Sequence, residues 1–208
     1  MDGILVDSAD GHYQSWLDVL TPYGIVFDRV LFNTTFGMNN QSIIHSLLGN
    51  DFPDVELSKI SDGKEIAFRS TIKGKVKLLP GVREWLDCFY SNQIPQAVTS
   101  SAPIDNIDAV LDETGIRSYF QAVVSAFGKA GKPDPWVFLE AGKLLGLDPR
   151  TTIVIEDSSA GVLGAFRAGY RCIAVSSLLT DEESKTANLL VDRLDQVSTE
   201  DIERLLSD

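Results

Sequence analysis

From Ile94 onward, short apolar runs alternate with stretches of helical spacing. Ile94 to Thr99 reads as a strand. Pro103 then opens a helix with Ile104, Ile107 and Leu111 on one face, closed by Gly115. Gln121 to Ser125 is a second strand. Pro135 opens a second helix, with Val137, Ala141, Leu144 and Leu145 inward and Gly146 at its C-terminal cap. Thr152 to Ile155 is a third strand, apolar at three successive positions as a strand buried on both faces should be. A helix through Val162, Ala165 and Phe166 ends at Gly169, and Arg171 to Val175 is a fourth strand. Strand–helix–strand repeated in this way predicts a parallel sheet with helices on both faces.

The first part of the chain has a different period. From about Asp10 to Lys75 it is almost wholly helical. His12, Trp16, Leu20 and Tyr23 share one face. Ile43, Ile44, Leu47 and Leu48 line another helix, ended by Gly49. Ile60, Lys64, Ala67, Phe68 and Thr71 keep helical spacing up to Gly74. After Pro80-Gly81, the residues Val82, Trp85, Leu86 and Phe89 begin a further helix, and a C-terminal packing helix is capped by Ser198. The expected organisation is a core of residues 1–9 and 76–208, with a helical cap of residues 10–75 inserted into it. The fold class is α/β, a Rossmann-like doubly wound parallel sheet with that cap.

Composition narrows the partners. The chain has 208 residues, 44% of them hydrophobic, which is enough for a packed core. Thirty acidic against eighteen basic residues give a net charge of −12, which repels a phosphate backbone and argues against nucleic acid. No apolar run approaches the ~20 residues of a membrane span, so no membrane partner is expected. Two cysteines, Cys88 and Cys172, cannot build a disulfide framework, and no secretory signal opens the chain. A reduced, cytoplasmic protein is the expectation.

In open α/β sheets ligands bind beyond the C-terminal strand ends. Those ends carry Thr99-Ser100-Ser101, then a loop to Gly131-Lys132-Pro133-Asp134-Pro135, then Glu156-Asp157-Ser158; Asp2-Gly3 and Asp7-Ser8 stand at the N-terminus. Each has a plain alternative: Thr99 to Ser101 as a helix cap, Lys132 as a solvated loop lysine, Glu156-Asp157 as first-turn acids, Asp2 as a frayed end. Together they place a hydroxyl, an ammonium and an acidic pair at successive strand ends. Adjacent carboxylates at a buried strand end repel, and a hard divalent cation with phosphate resolves that. A Lys, a hydroxyl and backbone N–H groups complete a phosphate pocket.

These segments resemble the haloacid dehalogenase superfamily, in the subgroup similar to β-phosphoglucomutase and phosphoglycolate phosphatase. The resemblance rests on Met1 to Ser8, Ala97 to Ser101, Gly131 to Pro135 and Ile155 to Gly161, and covers nearly the whole chain. It implies that Asp2 is the general acid/base and offers its carbonyl to Mg²⁺. It implies that Thr99, with the Ser100 backbone, holds the transferring phosphoryl group, that Lys132 neutralises nucleophile and phosphate, and that Glu156 and Asp157 surround the metal. His12 and Trp16 match a His-x-x-x-Trp pattern at the start of the cap, against the plain reading of His12 as a helix-surface histidine.

Two departures follow. The family's opening motif is Asp-x-Asp-Gly after an apolar strand, and its first aspartate is the nucleophile; here Met1 occupies the x. Neither Asp2 nor Asp7 replaces that carboxylate, and without it covalent phosphoryl transfer has no first step. A misassigned start, a truncated chain and a true pseudoenzyme are the three readings. The missing strand is central in the family, so a chain lacking it should be less stable by several kcal/mol. The second departure is in Gly37-Met38-Asn39-Asn40, where Asn40 stands in place of the arginine that grips a second phosphate in mutases. Arg69 could reach the site instead, though a solvated helix residue is its plainer reading. The expected function is a Mg²⁺-dependent phosphatase of a small phosphorylated metabolite acting through an aspartyl-phosphate. The alternatives are a catalytically inactive metabolite- or phosphate-binding pseudoenzyme and a phosphoglucomutase-type transferase.

Overall fold

The structure, a computed structural model, describes residues 1–35, 38–176 and 179–207. Gly37, at the head of the segment that carries Asn40, lies outside the described residues. The chain forms two compact units, Ser8–Val76 and Met1–Asp7 with Lys77–Asp208.

The helical unit contains α1 (Ala9–Leu20), α2 (Arg29–Thr35), α3 (Asn40–Leu48) and α4 (Asp54–Thr71). Its core joins Trp16, Leu20, Phe27, Phe32, Ile43, Ile44 and Ile60. Asn39 caps α3, its side chain accepting from the Ser42 amide at 2.8 Å, and Gly49 ends it. Tyr23 departs from the expected face. A short 3-10 turn over Thr21–Tyr23 follows α1, so the helical period stops before Tyr23 and the ring lies 40% exposed.

The α/β unit runs α5 (Val82–Ser91), β1 (Ala97–Ser100), α6 (Ile104–Glu113), β2 (Ala122–Ser125), α7 (Trp136–Leu145), β3 (Ile153–Glu156), α8 (Ser159–Arg167), β4 (Arg171–Val175), α9 (Asp181–Ser184), β5 (Leu189–Val191) and α10 (Thr199–Ser207). Every strand pairing is parallel, as the alternation predicts. The single sheet of the sequence reading is instead two: β1 with β2, and β3 with β4 and β5. Among the described residues no ladder joins β1 to β3. Both strands line one apolar cavity of about 280 Å³, together with Met1, Ile4 and Leu5, Trp85 and Phe89 of α5, and Ala141 of α7.

That cavity accounts for a second difference. Ile153, Val154 and Ile155 are half-buried rather than buried on both faces, because β3 has a ladder only toward β4. The middle strand, β4, is the one with four successive buried residues. β1 also begins three residues later than expected. Pro95 has no N–H for a ladder, and Ile94 is 43% exposed.

Helix ends follow their punctuation. Gly146 takes the left-handed conformation after α7 (φ +66°), and Ser158 caps α8 through the Gly161 amide at 3.1 Å. No helix among the described residues is long and apolar enough to cross a membrane.

Candidate active site

In the α/β unit, the polar strand ends expected from the sequence are occupied as follows. Thr99 is half-buried near the end of β1, and Ser100, 5% exposed, closes that strand. The Ser100 hydroxyl accepts from the Ala102 amide at 3.1 Å, which shapes the turn after β1. Lys132 comes from the loop after β2, and its ammonium is ion-paired with Glu156, the last residue of β3. Both side chains are largely buried, at 14% and 5% exposure.

Glu156 is held from several directions. Its second oxygen accepts from the Asp157 amide at 3.2 Å, the Ser158 amide at 3.4 Å and the Ser158 hydroxyl at 3.1 Å. Burial alone would raise its pKa. The Lys132 ammonium, the Met1 amine and these hydrogen bonds outweigh burial, so the carboxyl sits below the usual range and is ionised at neutral pH. Gly161, in the first turn of α8, lies so close that a Cβ there would overlap the Glu156 carboxylate.

Asp157 is the contrasting neighbour. Lys132 pairs with Glu156, so burial and the adjacent Glu156 charge push the Asp157 carboxyl up to about 6. Its side chain packs against Gly3, whose φ of +71° and missing Cβ allow the N-terminal loop to pass over it. That loop is a tight turn. The amides of Leu5 and Gly3 donate to Met1 (2.7 Å) and Val6 (2.9 Å) carbonyls, and Asp2 bridges to Val6. Asp2 is therefore an ordered loop residue, not a frayed end.

Asp2, Glu156 and Asp157 do not gather as a three-carboxylate set; among the described residues no three His, Cys, Asp or Glu side chains do. The donor set that fits a hard divalent cation is narrower: the Asp157 carboxylate, left with excess negative charge, beside the loop that carries Asp2. Mg²⁺ binds in this way, through one or two carboxylates with water and phosphate oxygens.

His12, Asn40 and Arg69 belong to the helical unit. His12 lies on α1, stacked on Phe68 with ring centroids 4.1 Å apart. Asn40 is the first residue of α3, and Arg69 lies in the last turn of α4. The structure joins His12 and Asn40 through residues that the sequence reading did not single out. The Lys64 ammonium is 3.0 Å from His12 Nδ1 and 3.0 Å from the Glu65 carboxylate, and Asn40 Nδ2 donates to Glu65 at 2.7 Å and to Ser61 at 3.1 Å. A lysine among the inward positions of α4 was the available signal: Lys64 shares its face with Ile60 and Phe68 and is 4% exposed.

The family model described as haloacid dehalogenase-like hydrolase matches residues 1–175. A chloroplastic 5-amino-6-(5-phospho-D-ribitylamino)uracil phosphatase of Arabidopsis thaliana is 30% identical over 207 residues, 98% of this chain and 56% of that protein. The chain thus spans a little over half of that relative's length. Fructose-1-phosphate phosphatase of Escherichia coli is 29% identical over 86% of this chain and 94% of its own. The crystal structure of β-phosphoglucomutase from Clostridium difficile superposes with a TM-score of 0.83 at 28% identity, covering 99% of this chain and 94% of that one.

Proposed function

The chain belongs to the haloacid dehalogenase-like hydrolases, and from that premise we propose that it is the body of a Mg²⁺-dependent phosphatase for a small phosphorylated metabolite. The observation that carries this reading is the strand-end group of Lys132, Glu156 and Asp157 beside the Asp2 loop. Its relatives' names point to phosphorylated sugars and sugar-like compounds. Asn40, in place of a charged clamp, argues for hydrolysis over mutase chemistry.

In this reading Thr99 and the backbone at Ser100 hold the oxygens of the transferring phosphoryl group. Lys132 offsets the charge that gathers on it. An aspartate outside these 208 residues attacks phosphorus through a carboxylate oxygen as the bond to the leaving oxygen breaks. Asp2 gives its proton to that leaving oxygen. It then takes a proton from water as the water oxygen attacks the aspartyl-phosphate, which releases phosphate and restores the nucleophile. Mg²⁺, held by the Asp157 carboxylate and the Asp2 carbonyl, would supply electrostatic stabilisation of the phosphate oxygens. The helical unit serves as the cap.

The cavity between β1 and β3 supports the absent-strand part of this reading. Both strands line it, so one further parallel strand there would pair on both sides and join the two sheets. At about 24 cal/mol per Å³, filling such an apolar space is worth several kcal/mol.

The test is to extend the chain upstream of Met1 with an apolar segment ending in Asp, and to measure phosphate release from p-nitrophenyl phosphate and fructose 1-phosphate with Mg²⁺. The extended chain should turn over and melt higher, the 208-residue chain should release no phosphate, and Asp157→Ala should abolish the Mg²⁺ dependence and the activity. An extended chain that binds phosphate without releasing it from either substrate would sink the enzyme reading in favour of a binding protein.

A further inference from the structure

Within the α/β unit, the turn from β1 to α6 is tied to β2 by a side chain as well as by backbone. The Ala126 amide, just past β2, donates to the Ser100 carbonyl at 2.8 Å. The Ser125 hydroxyl, on the last residue of β2, accepts from the Phe127 amide at 3.1 Å and donates to the Ala102 carbonyl at 2.6 Å. A serine hydroxyl has a single hydrogen, and here it goes to Ala102. The Ser100 hydroxyl takes the Ala102 amide, so serine side chains hold both backbone polar groups of Ala102. Pro103 comes next and has no N–H to place.

The plainer reading of these serines, as caps of the next helix, does not hold. α6 begins after Pro103 with no side-chain cap. What the serines fix instead is the direction of a backbone amide. In a trans peptide the C=O and N–H of one plane point opposite ways. The Ser100–Ser101 peptide is trans, and its carbonyl faces β2. The Ser101 N–H therefore faces away from β2, toward the edge of β1 that has no ladder among the described residues. Ser101 itself is exposed. Carbonyls drawn back and an amide turned outward are what an anion requires of a turn.

We propose that Ser125 is a positioning residue for phosphate: by holding the Ala102 carbonyl it sets the turn so that the Ser101 N–H is a further donor to the phosphoryl oxygens, beside Thr99 and the Ser100 backbone. Ser125 touches no substrate and acts through Ala102. Losing its hydroxyl frees the far end of the turn, and the Ser101 amide then swings from its fixed direction. The inference rests on the reading of Thr99 and Ser100 as the groups that hold the transferring phosphoryl, and extends that set by one donor and one support.

The test uses inorganic phosphate with Mg²⁺ on the 208-residue chain, read by calorimetry and by amide NMR spectra. In the unsubstituted chain, phosphate should shift the Ser101 amide resonance. Ser125→Ala should weaken phosphate binding about tenfold, a difference of about 1.4 kcal/mol, and should abolish that shift. Ser125→Thr keeps the donor and should restore both. Ser125→Cys keeps the shape but offers a poor donor, so it should behave as the alanine variant does and guards against one that fails to fold. Thr114→Val removes a hydroxyl bond of similar length at the end of α6 and should leave phosphate binding unchanged. Binding by Ser125→Ala within about twofold of the unsubstituted chain, a loss that Thr114→Val matches, or no recovery in Ser125→Thr overturns the proposal. Phosphate that binds the unsubstituted chain without moving the Ser101 amide sinks this inference alone. An unsubstituted chain that binds no phosphate sinks the phosphatase reading and this inference with it.

Discussion

Among the described residues each unit buries a lysine–carboxylate pair, and the two pairs differ in what stands beside them. Lys64 and Glu65 are adjacent on one helix, and their charges close on each other. Lys132 comes from the loop after β2 and Glu156 from the end of β3, and a second carboxylate, Asp157, follows immediately. The first pair is balanced. The second has a further carboxylate beside it, and burial together with the neighbouring Glu156 charge raises the Asp157 carboxyl to about 6. The pair with a further buried carboxylate beside it is the one suited to a cation.

The strongest test of this contrast is Lys132→Met, which strands the buried Glu156 charge. Breaking a buried pair in this way should lower unfolding free energy by about 3–5 kcal/mol in urea denaturation. A loss below 1 kcal/mol would mean that Glu156 is satisfied without its lysine.

Asp157→Asn should do the reverse. In the metal-free chain the unfolded state releases the Asp157 proton near the ordinary value of 3.8, and the folded state near 6. Between those values the unfolded state binds fewer protons, so stability falls as pH rises from about 4 to about 6. Asn removes that slope and should leave the metal-free chain roughly 2–3 kcal/mol more stable at pH 7, while weakening Mg²⁺ binding. Glu156 acts in the other direction, its contribution being lost only in more acid solution. Melting curves at pH 4, 5, 6 and 7 with and without Mg²⁺ decide the matter; a flat profile for the unsubstituted chain contradicts the excess charge.

Ser158→Ala removes the α8 cap and one hydroxyl donor to Glu156, and should cost about 1–2 kcal/mol by thermal melting. Smallest of all should be Lys64→Met with Glu65→Gln. Replacing both members of the pair together should change stability by no more than about 1 kcal/mol, and a loss several times larger would mean that the helical unit depends on its charges to fold.

Much of the scaffold was legible in the sequence because its signals are local. Arg171 to Val175 matches β4, and Pro135 with Gly146 brackets α7. Lys132, Glu156 and Asp157 stood out as polar residues at strand ends, where a packed α/β layer has little use for them. The division into two sheets was not legible, since pairing between strands is a long-range property that local periodicity does not carry. Nor was the Lys64 cluster. Helical spacing put Lys64 on the inner face, but what it meets there lies 52 residues away at His12, and Asn40 reaches Glu65 across 25 residues.

Gly161 constrains how this protein can change over evolutionary time. A side chain there requires the Glu156 carboxyl to leave its place beside Lys132 and Ser158, because a first carbon would overlap it. An alanine at 161 therefore goes with a moved or shortened acid at 156, and the two positions should be read as a linked pair.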